Sequence, residues 1–356
     1  MSSYVRPVIE KLNAYRVTPP DYEIVVNANE CPWDIPTVLK EEICQQIMAA
    51  PLNRYPDAGF RRLLTALSDY TGYPEDHHIC GNGSDELVAM LYQTFVSPGE
   101  ITVSHSPGFA MYGIWAEIAG ATFMDVPDTE EGVPDCKAMI DLANTHQAKM
   151  IFICNPNNPT GYLFSREEIV DIIDNTQSLV VLDEAYMEFH GSSMGDLIDM
   201  YPERLIIMRT LSKAFGLASL RCGYCLGNPK LIDYLYKVKA PYNINSLTQI
   251  AAEIVLNNRD LLKERLVLLK DEKCKINDLL QCLPDVQTYP AASNFIYFKT
   301  PKAEAIYNTM EANNILIRYF PDDHAIRLTI GSPEENKKIA KILKEVCHDQ
   351  SCNHPS

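Results

Sequence analysis

The feature that most limits how this chain can fold is a series of short apolar runs spaced through its middle. They lie near His78 to Cys80, Ile101 to Ser104, Thr122 to Val126, Met150 to Cys154, Leu179 to Asp183, Leu205 to Met208 and Gly223 to Leu226. Each is too short for a helix, and most are separated by segments with helical patterning. One of those helices announces its start: Ser165-Arg166-Glu167-Glu168 is a capping box, leading into Ile169, Ile172 and Ile173. Strands that are apolar throughout and alternate with helices imply an α/β fold whose mostly parallel sheet is covered on both faces. In such sheets ligands collect beyond the carboxyl ends of the strands. Gly81, Asp183 and Lys213 all fall at or just past predicted strand ends.

The flanking regions read differently. Residues 1–28 look like an N-terminal arm, broken by Pro19 and Pro20 and anchored by Tyr15 and Tyr22. Pro36 opens a predicted helix that Pro51 stops, and a second helix is expected from Phe60 to Tyr70. Residues 29–245 then form a large α/β domain. From about Ser246 a long helical stretch (Leu247 to Leu280) precedes predicted strands at Phe295 to Phe298, Ile315 to Tyr319 and Ile326 to Ile330. Helices fit Lys302 to Asn313 and Pro333 to Cys347, so residues 246–356 are expected to build a smaller α+β domain, with a cleft between the two. The polar tail after Asp349 is expected to be disordered.

Charge narrows the function. With 31 Lys and Arg against 47 Asp and Glu, the net charge is −16, which argues against nucleic-acid partners and anionic membrane surfaces. An anionic substrate would need a local cationic pocket. The first residues lack the apolar core of a signal peptide, and no apolar run approaches the roughly 20 residues of a membrane span. The 11 cysteines have no disulfide-like rhythm. A cytoplasmic location is therefore expected. Cys222 and Cys225 are spaced like a zinc or redox half-site, but no second pair accompanies them and they lie in a predicted strand, so no metal is expected.

Arg209-Thr210-Leu211-Ser212-Lys213-Ala214-Phe215-Gly216 follows the apolar run ending at Met208. A lysine there is either a solvated loop charge or an amine held in a cleft to react with a carbonyl. Its company favours the second reading. Asp183 ends a buried strand, where a carboxylate could keep a pyridine nitrogen protonated. Tyr186 and Asn158 could donate to a phenolic oxygen, and Phe109 could stack on a ring. Gly81-Asn82-Gly83-Ser84-Asp85-Glu86 opens an apolar helix, and such a helix start, with Thr210, Ser212 and Arg221, suits a phosphate. Together these are the parts of a pyridoxal 5′-phosphate site. No Gly-x-x-x-x-Gly-Lys-Ser/Thr sequence occurs, which argues against a nucleotide P-loop.

The motifs Asn155-Pro156-Asn157-Asn158-Pro159-Thr160-Gly161, Asp183-Glu184-Ala185-Tyr186 and Arg209 to Phe215 resemble the fold-type-I aminotransferases. Adding Leu220-Arg221-Cys222-Gly223-Tyr224, Asn27-Ala28-Asn29-Glu30 and Arg54-Tyr55-Pro56-Asp57 makes the histidinol-phosphate aminotransferases the most similar family, from Tyr15 to Gly331. The resemblance implies a large, mixed, mostly parallel sheet domain and a smaller α+β domain. It implies Lys213, Asp183 and Tyr186 as catalytic residues, with Lys213 forming the Schiff base and shuttling the proton. Gly83, Ser84, Asp85, Phe109, Asn158, Thr210, Ser212 and Arg221 would surround the cofactor. Tyr55 would reach the cofactor phosphate of a second subunit, making a homodimer. Tyr15, Asn29, Arg318 and Arg327 would bind the substrate. The implied reaction moves the amino group of histidinol phosphate to 2-oxoglutarate. The sequence departs from the family where Gly108 replaces the usual threonine or serine, Phe109 a frequent tyrosine, and Ala218-Ser219-Leu220 the commoner Ala-Gly-Leu.

Spacing adds an argument at the substrate end. A hairpin turning at Asp322-Asp323 pairs Arg318 with Arg327, and two arginines facing each other either call for an anion between them or splay, one or both, into solvent. A phosphate dianion suits two guanidinium forks better than one carboxylate does. The competing readings are an aromatic amino-acid aminotransferase, a threonine-phosphate decarboxylase, and a non-catalytic regulator on the same scaffold. The intact lysine and the lack of a basic extension speak against the last.

Overall fold

The computed structural model describes residues 4–14, 18–19 and 21–348, so Tyr15 and the tail after Asp349 lie outside the described residues. The strands are β1 (Ile24–Val26), β2 (His78–Asn82), β3 (Ile101–Ser106), β4 (Thr122–Pro127), β5 (Met150–Cys154) and β6 (Leu179–Asp183). They continue with β7 (Leu205–Thr210), β8 (Cys222–Gly227), β9 (Gln287–Thr288), β10 (Phe295–Lys299), β11 (Ile315–Phe320) and β12 (Ala325–Thr329).

Seven strands form the large sheet, in the order β2-β8-β7-β6-β5-β3-β4. β8 runs antiparallel to both neighbours, while the four pairings from β7 through β4 are parallel. The apolar runs make this possible, because both faces of the central strands are covered. Ile151 and Ile153 of β5, with Val180 and Leu182 of β6, pack under the helices Cys136–Thr145 and Arg166–Asp174. The alternate residues Phe152 and Val181 face the helices Gly83–Phe95 and Met111–Ala119 instead. This is the two-residue period of a strand, and each fully buried aliphatic side chain contributes about 1.5–3 kcal/mol. The capping box at Ser165 and Glu168 is formed on both sides.

The topology also positions the site. With β8 reversed, its amino end opens on the same edge as the carboxyl ends of β2, β3, β5, β6 and β7. Six chain segments distant in sequence therefore meet along one edge.

The second sheet has the order β1-β11-β12-β10-β9, and all its pairings are antiparallel except β1 with β11. Arg318 pairs with Arg327, the register that a turn at Asp322-Asp323 predicts. Ile24–Val26, read from the sequence as part of an arm, is an edge strand of this sheet with Ile24 and Val26 buried. The predicted long helix is two helices, Ser246–Asn257 and Lys263–Gln281, broken by a 3-10 turn at Arg259–Leu262. The first packs with Phe60, Leu63 and Leu211 in the core of the large body. The second contributes Leu269, Ile276 and Leu280 to the core of the small one. The change of sequence pattern at Ser246 therefore precedes the change of core.

Among the described residues no cluster of three or more metal-ligating side chains exists, and no helix is long and apolar enough to cross a membrane. Cys222 and Cys225 are buried in β8 as free thiols, three residues apart and so on opposite faces; burial pushes Cys222 up to about 12.

Candidate active site

The edge of the large sheet and the small sheet enclose a cleft of about 470 Å³. Its walls include Asn29, Ser84, Asp85, Phe109, Asn158, Asp183, Tyr186, Thr210, Ser212, Lys213, Arg221, Arg318 and Arg327, nearly all of the residues expected from the sequence. A second hollow of about 560 Å³, beside Asp285, Lys299 and His324, shares none of them.

Lys213 stands just past β7, half-buried, with Nζ donating to the Ala28 carbonyl at 2.7 Å. Desolvation first, then the positive charges of Arg327 and Arg221, push its amine down to about 8 against the opposing pull of Glu30 and Asp85. Asp183 ends β6 and is buried. Its Oδ1 accepts the Ala185 N–H at 3.0 Å and its Oδ2 accepts the Tyr112 hydroxyl at 2.7 Å. Burial pushes this carboxyl up to about 6, although both hydrogen bonds favour the charged form.

At the other end of the cleft the helix Gly83–Phe95 begins immediately after β2. Gly83 has φ +79°, and a Cβ there would meet Arg221 Nη2 at 2.3 Å, so only glycine lets the guanidinium lie against the helix start. Arg221 itself has φ +53° and donates to Asp85 at 3.1 Å and to the Ala218 carbonyl at 3.2 Å. The Thr210 hydroxyl lies 2.9 Å from that of Ser212 and accepts the Ser212 N–H at 3.1 Å.

The two bodies are joined through Asn29, whose φ is +58°. Its side-chain amide donates to the Tyr186 hydroxyl at 2.9 Å, its N–H donates to Thr329 at 3.0 Å, and its carbonyl accepts from Asn294 at 3.0 Å. Buried Arg327 donates to Asn158 Oδ1 and the Asn27 carbonyl, and its guanidinium lies 5.5 Å from the Phe295 ring centroid. Arg318 is exposed. Tyr55 lies outside the cleft of its own chain; it is 80% exposed and stacks on Tyr242 with centroids 4.4 Å apart.

Sequence reasoning missed Tyr112, Asn294 and Thr329. Tyr112 follows Phe109 by three residues and is buried against Phe152, with ring centroids 4.3 Å apart. In the sequence it is one more aromatic in an apolar helix. Asn294 had a signal, since Ser293-Asn294 is a polar pair set directly before an apolar strand.

Comparison with known proteins decides the family. The model for aminotransferase class I and II matches residues 23–343. The chain belongs to that family. This aminotransferase is 38% identical over 350 residues to a histidinol-phosphate aminotransferase of Thermoanaerobacter sp. (strain X514), covering 97% of this chain and 99% of that one. In structure it is similar to the histidinol-phosphate aminotransferase of Sinorhizobium meliloti solved with pyridoxal-5′-phosphate, with TM-score 0.88, 24% identity and 98% of each chain covered. The L-threonine-O-3-phosphate decarboxylase of Porphyromonas gingivalis shares the fold at TM-score 0.78, 21% identity, 90% of this chain and 98% of that one. These neighbours share the fold-type-I architecture, so the fold does not separate the two reactions.

Proposed function

We propose that this aminotransferase uses pyridoxal 5′-phosphate to move the amino group of L-histidinol phosphate to 2-oxoglutarate, as a cytoplasmic homodimer in histidine biosynthesis. The observation that carries the substrate assignment is the Arg318–Arg327 register at the cleft, a pair of opposed cations in a protein of net charge −16. The relatives' names point the same way.

The residues present fit the cofactor. The space a Cβ on Gly83 would fill is taken by the Arg221 guanidinium, which sets a cation and a helix N-terminus side by side for a phosphate. Thr210, Ser212, Ser84 and Asp85 complete that end. Asp183 would hold the ring nitrogen, Asn158 and Tyr186 the phenolic oxygen, and Phe109 one face of the ring. When bound, pyridoxal phosphate supplies an electrophilic aldehyde and a ring that accepts the electron pair released at the substrate's α-carbon.

The chain does the rest. Burial and the neighbouring arginines lower the proton affinity of Lys213 Nζ, so this amine would be the nucleophile toward the aldehyde and the base that holds and moves the α-proton. Arg327 and Arg318, with Asn29 and Tyr15, hold the substrate's anionic end, so that the α-hydrogen stands beside Lys213. Tyr55 acts from the partner subunit. Its exposure supports this, as does the exposure of nearby Met48 and Leu52, an apolar surface suited to a second copy.

The test is single-turnover absorbance of the cofactor-loaded protein, offered histidinol phosphate, threonine phosphate or phenylalanine without keto acid. Rapid conversion of the cofactor to its amine form by histidinol phosphate alone is expected. Equal conversion by phenylalanine would make it a broader aromatic enzyme, and carbon dioxide release from threonine phosphate would replace the reaction while keeping the site.

A further inference from the structure

The opposed arginines are not equivalent. Arg327 is buried and committed to Asn158 and the Asn27 carbonyl. Arg318 is exposed and, among the described residues, makes no hydrogen bond or ion pair; its recorded contact is the face of Phe320, 5.3 Å from the ring centroid. The two-residue period of β11 puts Arg318 and Phe320 on the same side of the strand, and both line the cleft. The ring is itself fixed. It meets Tyr297 edge-on at 5.7 Å, and Tyr297 meets Tyr289 at 5.1 Å, a stack closed by buried Ala325.

A guanidinium lying on an aromatic face keeps its in-plane N–H donors uncommitted while losing much of its rotational freedom. The ordering cost that an incoming anion would otherwise bear has therefore been met before it arrives. The two substrates of a transamination need this help unequally. A carboxylate carries one charge on two oxygens and is satisfied by one fork, whereas a phosphate carries nearly two charges on three free oxygens and can occupy both. Arg327 can then serve either partner, and Arg318 distinguishes between them.

We propose that Phe320 is a specificity-determining positioning residue, whose ring presents Arg318 and so favours the phosphorylated amine over the carboxylate-bearing partner. The proposal rests on the aminotransferase reading, but its test does not depend on the amine's identity. Inorganic phosphate and 2-oxoglutarate are titrated separately by calorimetry into the cofactor-loaded wild type and the Phe320→Leu, Phe320→Tyr and Phe320→Trp variants. KM is also measured for histidinol phosphate and 2-oxoglutarate.

Leucine keeps the apolar bulk and loses the π face. It is expected to weaken phosphate binding and raise the KM for the phosphorylated amine by about two- to fivefold, with 2-oxoglutarate unmoved. Tyrosine and tryptophan should restore wild-type values. Equal weakening for phosphate and 2-oxoglutarate in Phe320→Leu would make Phe320 a plain cleft wall and overturn the idea. No phosphate binding to the wild type, or wild-type phosphate affinity in the leucine variant, would also overturn it. If histidinol phosphate is not a substrate, yet phosphate affinity falls with leucine and returns with tryptophan, the substrate reading fails and this one stands.

Discussion

Tyr112→Phe is the most informative single-atom change in this structure. The Tyr112 hydroxyl donates to Asp183 Oδ2 at 2.7 Å, both groups are buried, and phenylalanine can keep the stack on Phe152. A hydrogen bond to a charged group is worth about 1.5–3 kcal/mol, or about one to two pKa units for the carboxyl it stabilises. In the ligand-free protein, removing it should raise Asp183 from about 6 to about 7–8. Because the folded value lies above the ordinary 3.8, Asp183's contribution to stability is fully present below pH 3.8 and is lost as pH rises through 6. In the variant that loss continues to about pH 7–8, so its deficit against wild type should grow by about 1–2 kcal/mol between pH 5 and pH 8. The assay is urea unfolding of cofactor-free wild type and variant at the two pH values, at fixed protein concentration and with m-values compared. Asp183→Asn should abolish the pH-dependent part in both backgrounds. A deficit that is the same at pH 5 and pH 8 would show that the hydroxyl is not coupled to the Asp183 charge, and the argument would fail.

Two further consequences can be measured. Desolvation, with the Arg327 charge next, holds the Lys213 amine near 8, so Arg327→Gln should move the midpoint of Lys213 modification by an amine-selective reagent upward in cofactor-free protein; an unmoved midpoint would show that burial and Arg221 set it without Arg327. If Tyr55 serves the partner's site, mixing inactive Lys213→Ala subunits with impaired Tyr55→Ala subunits should recover activity, because one site per hybrid dimer has both residues. Mixtures no more active than the separate variants would place Tyr55 outside the partner's site.

Much of the site could be read in the sequence because its residues sit where strand pattern breaks. Asp183 and Lys213 follow buried runs, and in a parallel sheet such breaks converge on one edge. The Arg318–Arg327 register was equally legible, since a short turn fixes the pairing on either side of it. What escaped depends on partners far away in the chain. β1 is three residues long and gains meaning only from parallel pairing with Ile315 to Ile317. Asn29 is a hub because its left-handed backbone aims it at Tyr186, Thr329 and Asn294 together, and none of those is near it in sequence.

The two strongest motifs show why recognising a pattern does not separate its roles. β6 pairs with β7 so that Asp183 lies beside Met208, which brings the next residues, Glu184 and Arg209, to the same level. Those two are buried as an ion pair 2.8 Å apart, and Glu184 also accepts from Ser193 and the Met194 N–H. Removing one partner of such a pair leaves a bare buried charge at a cost of about 3–5 kcal/mol. Asp183, Tyr186, Thr210, Ser212 and Lys213 line the cleft, whereas Glu184 and Arg209, between and beside them, lock the strand ends that aim those side chains. The letters of Asp183-Glu184-Ala185-Tyr186 and Arg209 to Phe215 thus mix chemistry with its support. Only the register between β6 and β7 sorts them.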